Sequence, residues 1–324
     1  MTLQLENPVL PGDTTSPEPA SDPSSRTNAP SGADGGNEVS HGRRRLTPGA
    51  RTLVWILTAS AVLCGWVIAY TTTFSAVQES RDQRVLYSSL RQGLSEATTP
   101  IGGVIEPGTP IAVLDAPGSG LSEMVVVEGT TSTDLKAGPG HRRDTPLPGQ
   151  AGVSVLFGRG SAYGGPFAPL VRAAPGTTIR VTTGQGTFTY TIDRVRSSGD
   201  PLPPPLAAGS SRLSLVTSTG SGWLGKLAPD RIVYVDASLQ GKPVASPPGR
   251  LLVTSPAEQA MATDPTAWVP LVFWLQLLAL TSIGLVWAAV RWGRWQTWAV
   301  GIPLLVAVVW GATDTAFSLL PNLL

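Results

Sequence analysis

Arg212-Leu213-Ser214-Leu215-Val216-Thr217, followed by Ser218, is one of a series of short β-rich runs separated by Gly and Pro. Its companions are Ile111–Leu114, Glu123–Glu128, Val153–Phe157, Thr178–Thr183, Thr187–Val195 and Arg231–Val235. Short strands with turn residues between them predict an all-β barrel or sandwich. The region that carries them, residues 99–254, is roughly 150 residues, enough for one domain with its own core.

Outward from this region the pattern changes on both sides. Upstream, residues 74–98 carry Val77, Arg81, Arg84, Val85, Leu90 and Leu94 among polar residues. They predict a membrane-proximal helix, ended by Pro100 and Gly102-Gly103. Before it, residues 51–73 hold a run of about 20 residues without a charge, the length that crosses hydrocarbon at about 1.5 Å per residue. Downstream of a linker over residues 255–267, two further spans are predicted at 268–290 and 295–317. Trp268, Trp292, Trp295 and Trp298 fall at their ends, where amphipathic rings prefer the headgroup region. Asp314 lies near the outer end of the last span, and its simplest reading is that it reaches the interface.

Residues 1–50 are rich in Pro, Ser, Thr, Gly, Asn and Asp. Such a segment cannot bury enough surface to offset its conformational entropy, so a disordered tail is expected. The apolar run begins too late in the chain for a signal peptide. Arg43, Arg44, Arg45 and Arg51 precede the first span, and Arg291 and Arg294 sit between the other two. The positive-inside rule then predicts a multi-pass plasma-membrane protein with a cytoplasmic N-terminus. The β-rich domain and the C-terminus fall outside.

The chain has 324 residues, 42% hydrophobic and 14% charged, with a net charge of +1. That balance gives no electrostatic argument for nucleic acid as a partner. A single cysteine, Cys64, lies inside the first span and excludes an intrachain disulfide or a multi-cysteine metal site. No cofactor and no metal is expected.

Several blocks resemble one family, in the family's order and spacing. Glu123-Met124-Val125-Val126-Val127-Glu128-Gly129-Thr130 is similar to the early strand of the sortases, the bacterial cysteine transpeptidases that attach proteins to the cell wall. Leu135-Lys136-Ala137-Gly138-Pro139-Gly140-His141 resembles their Leu-x-x-Gly-Pro-Gly-His, and Leu147-Pro148-Gly149-Gln150 their Leu-Pro-Gly-Gln. The block from Phe157 to Phe167 is similar to Ala-Gly-His-Arg-x-x-x-Gly-x-Pro-Phe, and Arg212–Ser218 to the strand that ends Thr-Leu-x-Thr-Cys. The nearest subgroup is the class E-like, actinobacterial sortases. The resemblance implies an all-β sortase-type barrel of eight strands, which with three transmembrane helices and the disordered tail completes the expected fold.

The same resemblance implies a degenerate site. Ser218 stands at the cysteine position, Arg159 at the histidine and Gly160 at the arginine beside it, while Arg231 keeps the place of the oxyanion arginine. A serine needs a base to lose its proton, and an arginine stays protonated and cannot be that base. His141, the other family histidine, is read as structural, and His41 lies in the cytoplasmic tail. The expectation is a catalytically inactive binding or scaffold subunit for cell-wall or surface-protein assembly. Its ligand-binding residues are Arg159, Arg231, Ser218 and Thr217, taking a peptide or an anionic cell-envelope ligand through paired guanidinium groups. The alternative is an active serine-dependent peptidase or transpeptidase using Ser218, with Asp193 or Glu123 as an unconventional base. The proline-rich stretch Ser197–Ser211 reads as a rigid loop or a docking strip. Small residues on the last two spans, among them Gly284, Gly301 and Gly311, offer close helix packing to each other or to a membrane-protein partner.

Overall fold

The computed structural model describes residues 47–221, 225 and 228–324. The tail expected over residues 1–50 therefore lies almost wholly outside the described residues. The chain divides into two compact units, Met1–Thr52 and Leu53–Leu324. Of the first, residues 47–52 are described and begin a helix, with the Arg51 amide donating to the Thr47 carbonyl at 3.0 Å.

Helix α1 (Pro48–Ala69) runs through a π turn (Tyr70–Phe74) directly into α2 (Ser75–Ser95). The span and the membrane-proximal helix expected from the sequence are thus one rod. A run of threonines makes the π turn. Thr71 and Thr72 donate their hydroxyls to the carbonyls of Val67 and Ile68, at 2.6 and 2.8 Å, the back-bonding that loosens a helix locally. With helices α3 (Trp268–Arg291) and α4 (Arg294–Phe317), three helices among the described residues are long and apolar enough to cross a membrane. Their apolar side chains stay largely exposed, as lipid-facing residues do. Gly301 and Gly311 are covered within the α3–α4 hairpin by Leu285 and the Trp274 ring, whereas Gly284 faces open space.

The β-rich region closes into a barrel. In chain order the strands are β1 (Pro110–Ala116), β2 (Leu121–Glu128), β3 (Gly140–His141), β4 (Gly152–Phe157), β5 (Thr178–Thr183), β6 (Gly186–Ser197), β7 (Ser211–Thr219) and β8 (Arg231–Gln240). Around the barrel they run β1-β2-β3-β4-β7-β8-β6-β5. The pairs β2–β3 and β4–β7 are parallel, and the other neighbours are antiparallel.

The two-residue period of a strand sorts β7 between two environments. Leu213 and Leu215 point inward and pack with Ile111, Val126, Leu156 and Val235. Val216 points outward and joins Phe157, Leu135 and Leu323 in a separate apolar cluster. Because Ser218 shares the parity of Val216, it too stands on the outer face. That outer face is where the site is built.

Asp314 does more than reach an interface. It accepts from Lys136 Nζ at 2.9 Å, from the Tyr163 hydroxyl at 2.8 Å, from the Tyr70 hydroxyl at 2.9 Å and from Gln78 at 3.2 Å. One carboxylate thus ties α4 to the barrel and to the helical rod.

Candidate functional site

Strands β4 and β7 run parallel and end together, with Phe157 opposite Val216. Beyond them lie Gly158-Arg159-Gly160 on one side and Thr217-Ser218 on the other. Both glycines are required by close approach. A Cβ on Gly158 would strike the Phe167 ring, and one on Gly160 would strike the Ser218 main-chain oxygen. The missing side chain at Gly160 brings its amide to the same place as the Ser218 hydroxyl.

Both groups meet one carbonyl. Ser218 Oγ donates to the Leu323 oxygen at 2.6 Å, and the Gly160 amide donates to the same oxygen at 3.0 Å. Leu323 belongs to the segment that follows α4, and its side chain is fully buried against Leu135, Phe157 and Val216. The centre of the cleft is therefore filled by the chain itself.

Arg159 is wholly buried, at 0% exposure. Its Nε donates to the Leu135 carbonyl at 3.1 Å, and its Nη2 to the Ser132 carbonyl and hydroxyl at 2.7 and 3.0 Å. Its Nη1 donates to the Leu324 main-chain oxygen at 3.3 Å. The guanidinium also lies 4.9 Å from the centre of the Tyr163 ring. Burial pulls the guanidinium down to about 10, opposed by Tyr163 and Asp314, so it remains a cation at neutral pH. A permanently charged donor of this kind orients carbonyls and cannot accept a proton.

The other expected site residues are placed as follows. Ser218 and Arg159 are brought together through adjacent residues, Leu323 and Leu324. Thr217 is buried on the inward parity of Leu213 and Leu215, and its hydroxyl has no hydrogen-bond partner among the described residues. Arg231 opens β8 in register with Thr219, stays more than half exposed, and sits with its Nε 3.5 Å from Asp230. His141 is buried, with Nδ1 2.8 Å from Glu128 and Nε2 3.1 Å from the Pro146 carbonyl, as a structural histidine would be. Asp193 accepts from Ser238 at 2.6 Å and Glu123 from Tyr87 at 3.1 Å, so each carboxylate is engaged elsewhere.

Two cavities flank the filled centre. One of about 480 Å³ is bordered by Gly160, Ser161, Pro169, Arg172 and Ser218. The other, of about 660 Å³, lies over the outer face of β4, β7 and β8 between Phe157, Arg196, Arg212 and Tyr234. Leu202 and Pro203 of the proline-rich loop border it too. Arg196 stacks 4.0 Å from the centre of the Tyr234 ring and pairs with Asp236 at 2.8 Å, which fixes the floor of this cavity.

Reading the sequence missed the partners of the site. Ser132 and the Leu135 carbonyl come from the loop between β2 and β3, where the backbone oxygens carry no residue-type signature. The segment Leu320-Pro321-Asn322-Leu323-Leu324 did carry one: a proline that stops a helix, then a lone amide in an otherwise apolar stretch.

The Sortase domain family model matches residues 114–236. No curated protein matches the chain. Among solved structures, the chain is similar to a sortase D5 transpeptidase from Clostridium perfringens, at 21% identity over 50% of this chain and 99% of that one, with a TM-score of 0.41. It is similar to a sortase from Actinomyces oris at 23% identity, covering 44% and 85% with a TM-score of 0.38. For sortase E from Streptomyces avermitilis the identity is 29%, the coverage 46% and 100%, and the TM-score 0.35. The closed eight-stranded barrel is of the sortase type, and the Sortase domain model matches it over residues 114–236.

Proposed function

We propose that the chain is a membrane-anchored, sortase-like binding or scaffold subunit of the cell envelope that does not itself join or split peptides. One observation carries this reading. The Ser218 hydroxyl donates its proton to a carbonyl 2.6 Å away, and Arg159, at the position that the resemblance gives to the family's histidine, is a buried cation. A serine becomes a nucleophile only when a neighbouring base takes its proton. Asp193 and Glu123, the carboxylates expected as unconventional bases, are engaged with Ser238 and Tyr87.

Ligand contacts in this reading fall on Ser218, Arg159, Thr217 and Arg231. The donors of Arg159 reach main-chain oxygens, which favours an extended peptide over a free carboxylate or phosphate as the ligand. Arg231, exposed at the rim, is the residue left to meet an anionic group of the envelope. Arg43, Arg44, Arg45 and Arg51 at the start of the first span, and Arg291 and Arg294 at the facing ends of α3 and α4, support a cytoplasmic N-terminus and an external barrel. The family blocks from Leu135 to His141 and from Leu147 to Gln150 support a class E-like, actinobacterial origin. A membrane-protein partner would meet the open face of Gly284 on α3.

The second reading, a serine peptidase or transpeptidase, draws on the cavity of about 480 Å³ that reaches Ser218. The full chain in detergent, offered a labelled sorting-signal peptide, separates the two. The binding reading expects no acyl-enzyme and no cleavage above buffer. Cleavage that disappears in Ser218→Ala would replace it with the serine enzyme.

A further inference from the structure

The residues after α4 are held in the cleft as a bound peptide would be. The Asn322 amide nitrogen donates to the Ala262 carbonyl at 2.8 Å, and its side-chain Nδ2 donates to the carbonyls of Thr130 and Gln259, each at 2.8 Å. Leu323 drops its side chain among Leu135, Phe157 and Val216 and gives its carbonyl to Ser218 and Gly160. Leu324 offers its main-chain oxygen to Arg159. Main-chain hydrogen bonds with one apolar pocket and one amide-reading pair are elements by which a groove recognises a peptide segment, here one turned on itself, with the Leu324 amide donating to the Pro321 carbonyl at 3.0 Å.

We infer that residues 320–324 are an intramolecular ligand of this cleft, and that the α3–α4 hairpin is the arm that seats or withdraws them. Leu323 touches Ser218, which borders the cavity of about 480 Å³, and packs with Phe157 and Val216, which border the one of about 660 Å³. The arm is latched to the barrel where Lys136 and Tyr163 meet Asp314, where Phe317 packs on Tyr163, and where Ser132 donates to the Phe317 carbonyl. Most of the remaining hairpin surface is apolar and exposed, suited to sliding in lipid. The seat is also imperfect. Asn322 Oδ1 is buried without a partner among the described residues, a cost that favours an exchangeable occupant over a permanent one. A tethered ligand acts at an effective concentration on the order of millimolar, so the cleft stays closed to dilute peptides until the arm moves. The inference concerns access to Ser218 and holds whether or not Ser218 turns anything over.

The test places a thiol at the seat. In full-length protein with Cys64→Ser, the Ser218→Cys variant is treated with a small maleimide in detergent, and the modification rate is read by mass spectrometry. Adding Asn322→Ala or Leu323→Ala is expected to raise that rate at least 10-fold, with near-ultraviolet circular dichroism confirming that the barrel is intact. Equal rates in folded variants would overturn the inference. Hydrogen exchange on the unaltered chain gives a second reading that no folding defect can confuse. The Gly160 amide, bonded to Leu323, is expected to exchange at least 10-fold faster than the β4–β7 ladder amides. Exchange of Gly160 only together with that ladder would mean that the segment never leaves, and the inference fails.

Discussion

The ammonium of Lys136 lies 2.9 Å from the Asp314 carboxylate and 2.6 Å from the Asp314 main-chain oxygen, joining the β2–β3 loop to α4. The side chains are 11% and 25% exposed, so water screens the pair in part. Burial outweighs the carboxylate and draws the Lys136 ammonium below its usual range.

Removing one partner should therefore cost more than removing both. Lys136→Met is expected to lower stability by about 1–3 kcal/mol, because the carboxylate loses its cationic partner and keeps only the neutral donors Tyr70, Tyr163 and Gln78. Lys136→Met with Asp314→Asn should recover part of that loss. Thermal midpoints of the full chain in one detergent measure the difference, and additive losses would mean that the two residues do not interact.

Arg159 is expected to be structural, since it is wholly buried and bonded to main-chain oxygens. Arg159→Met strands the carbonyls of Ser132 and Leu135, each of which loses a charge-assisted donor. The expected loss is about 3 kcal/mol or more, read as a fall in the denaturation midpoint at constant slope. A change under about 0.5 kcal/mol would show that these bonds are replaced by water.

Ser218→Cys alone should not create an efficient transpeptidase. The sulfur would gain intrinsic nucleophilicity, yet Arg159 offers no proton acceptor and Leu323 occupies the approach. Mass spectrometry after incubation with a labelled peptide is expected to show no acyl-enzyme burst. A stoichiometric burst would mean that the missing thiol was the whole deficit.

Stability should also depend on pH through Glu258. Burial raises the carboxyl of Glu258 above its usual range, partly offset by Arg143 at 3.4 Å, and one of its oxygens has no partner among the described residues. A carboxyl whose folded-state pKa is raised holds its proton longer when folded. Its contribution is most favourable below the unfolded value of about 4.3, and is lost as pH rises through the folded pKa. Glu258→Gln is therefore expected to stabilise the chain at pH 8 by on the order of 1 kcal/mol and to change little at pH 4. Thermal midpoints across that range check the sign.

The strands were legible because each carries β-branched or aromatic residues between Gly and Pro, and Thr178–Thr183 falls where it was expected to the residue. Strand β7 extends past its predicted end to Thr219, since pairing with β8 continues through Ser218 opposite Ile232. Strand β3, two residues long, has no periodicity to read and exists through its pairing with β2 and β4. The family blocks singled out Ser218 and Arg159, and the structure brings the two close through Leu323 and Leu324. Their surroundings were illegible because they are main-chain oxygens and a distant C-terminal segment. Burial of Arg159 could not be foreseen from a residue type that is mostly found at surfaces.

The π turn at Tyr70–Phe74 separates the angular settings of the two halves of the long rod. An extra residue in a helical turn rotates everything beyond it by roughly 100°. Before the turn, Trp66 is keyed to Thr313 on α4 by a hydrogen bond of 2.9 Å. After it, Gln83 grips the barrel through the Ala137 carbonyl at 2.7 Å and both the amide and the carbonyl of Val125. Deleting one threonine there would force a choice between these two grips, because a straight helix of that length cannot present both faces at once.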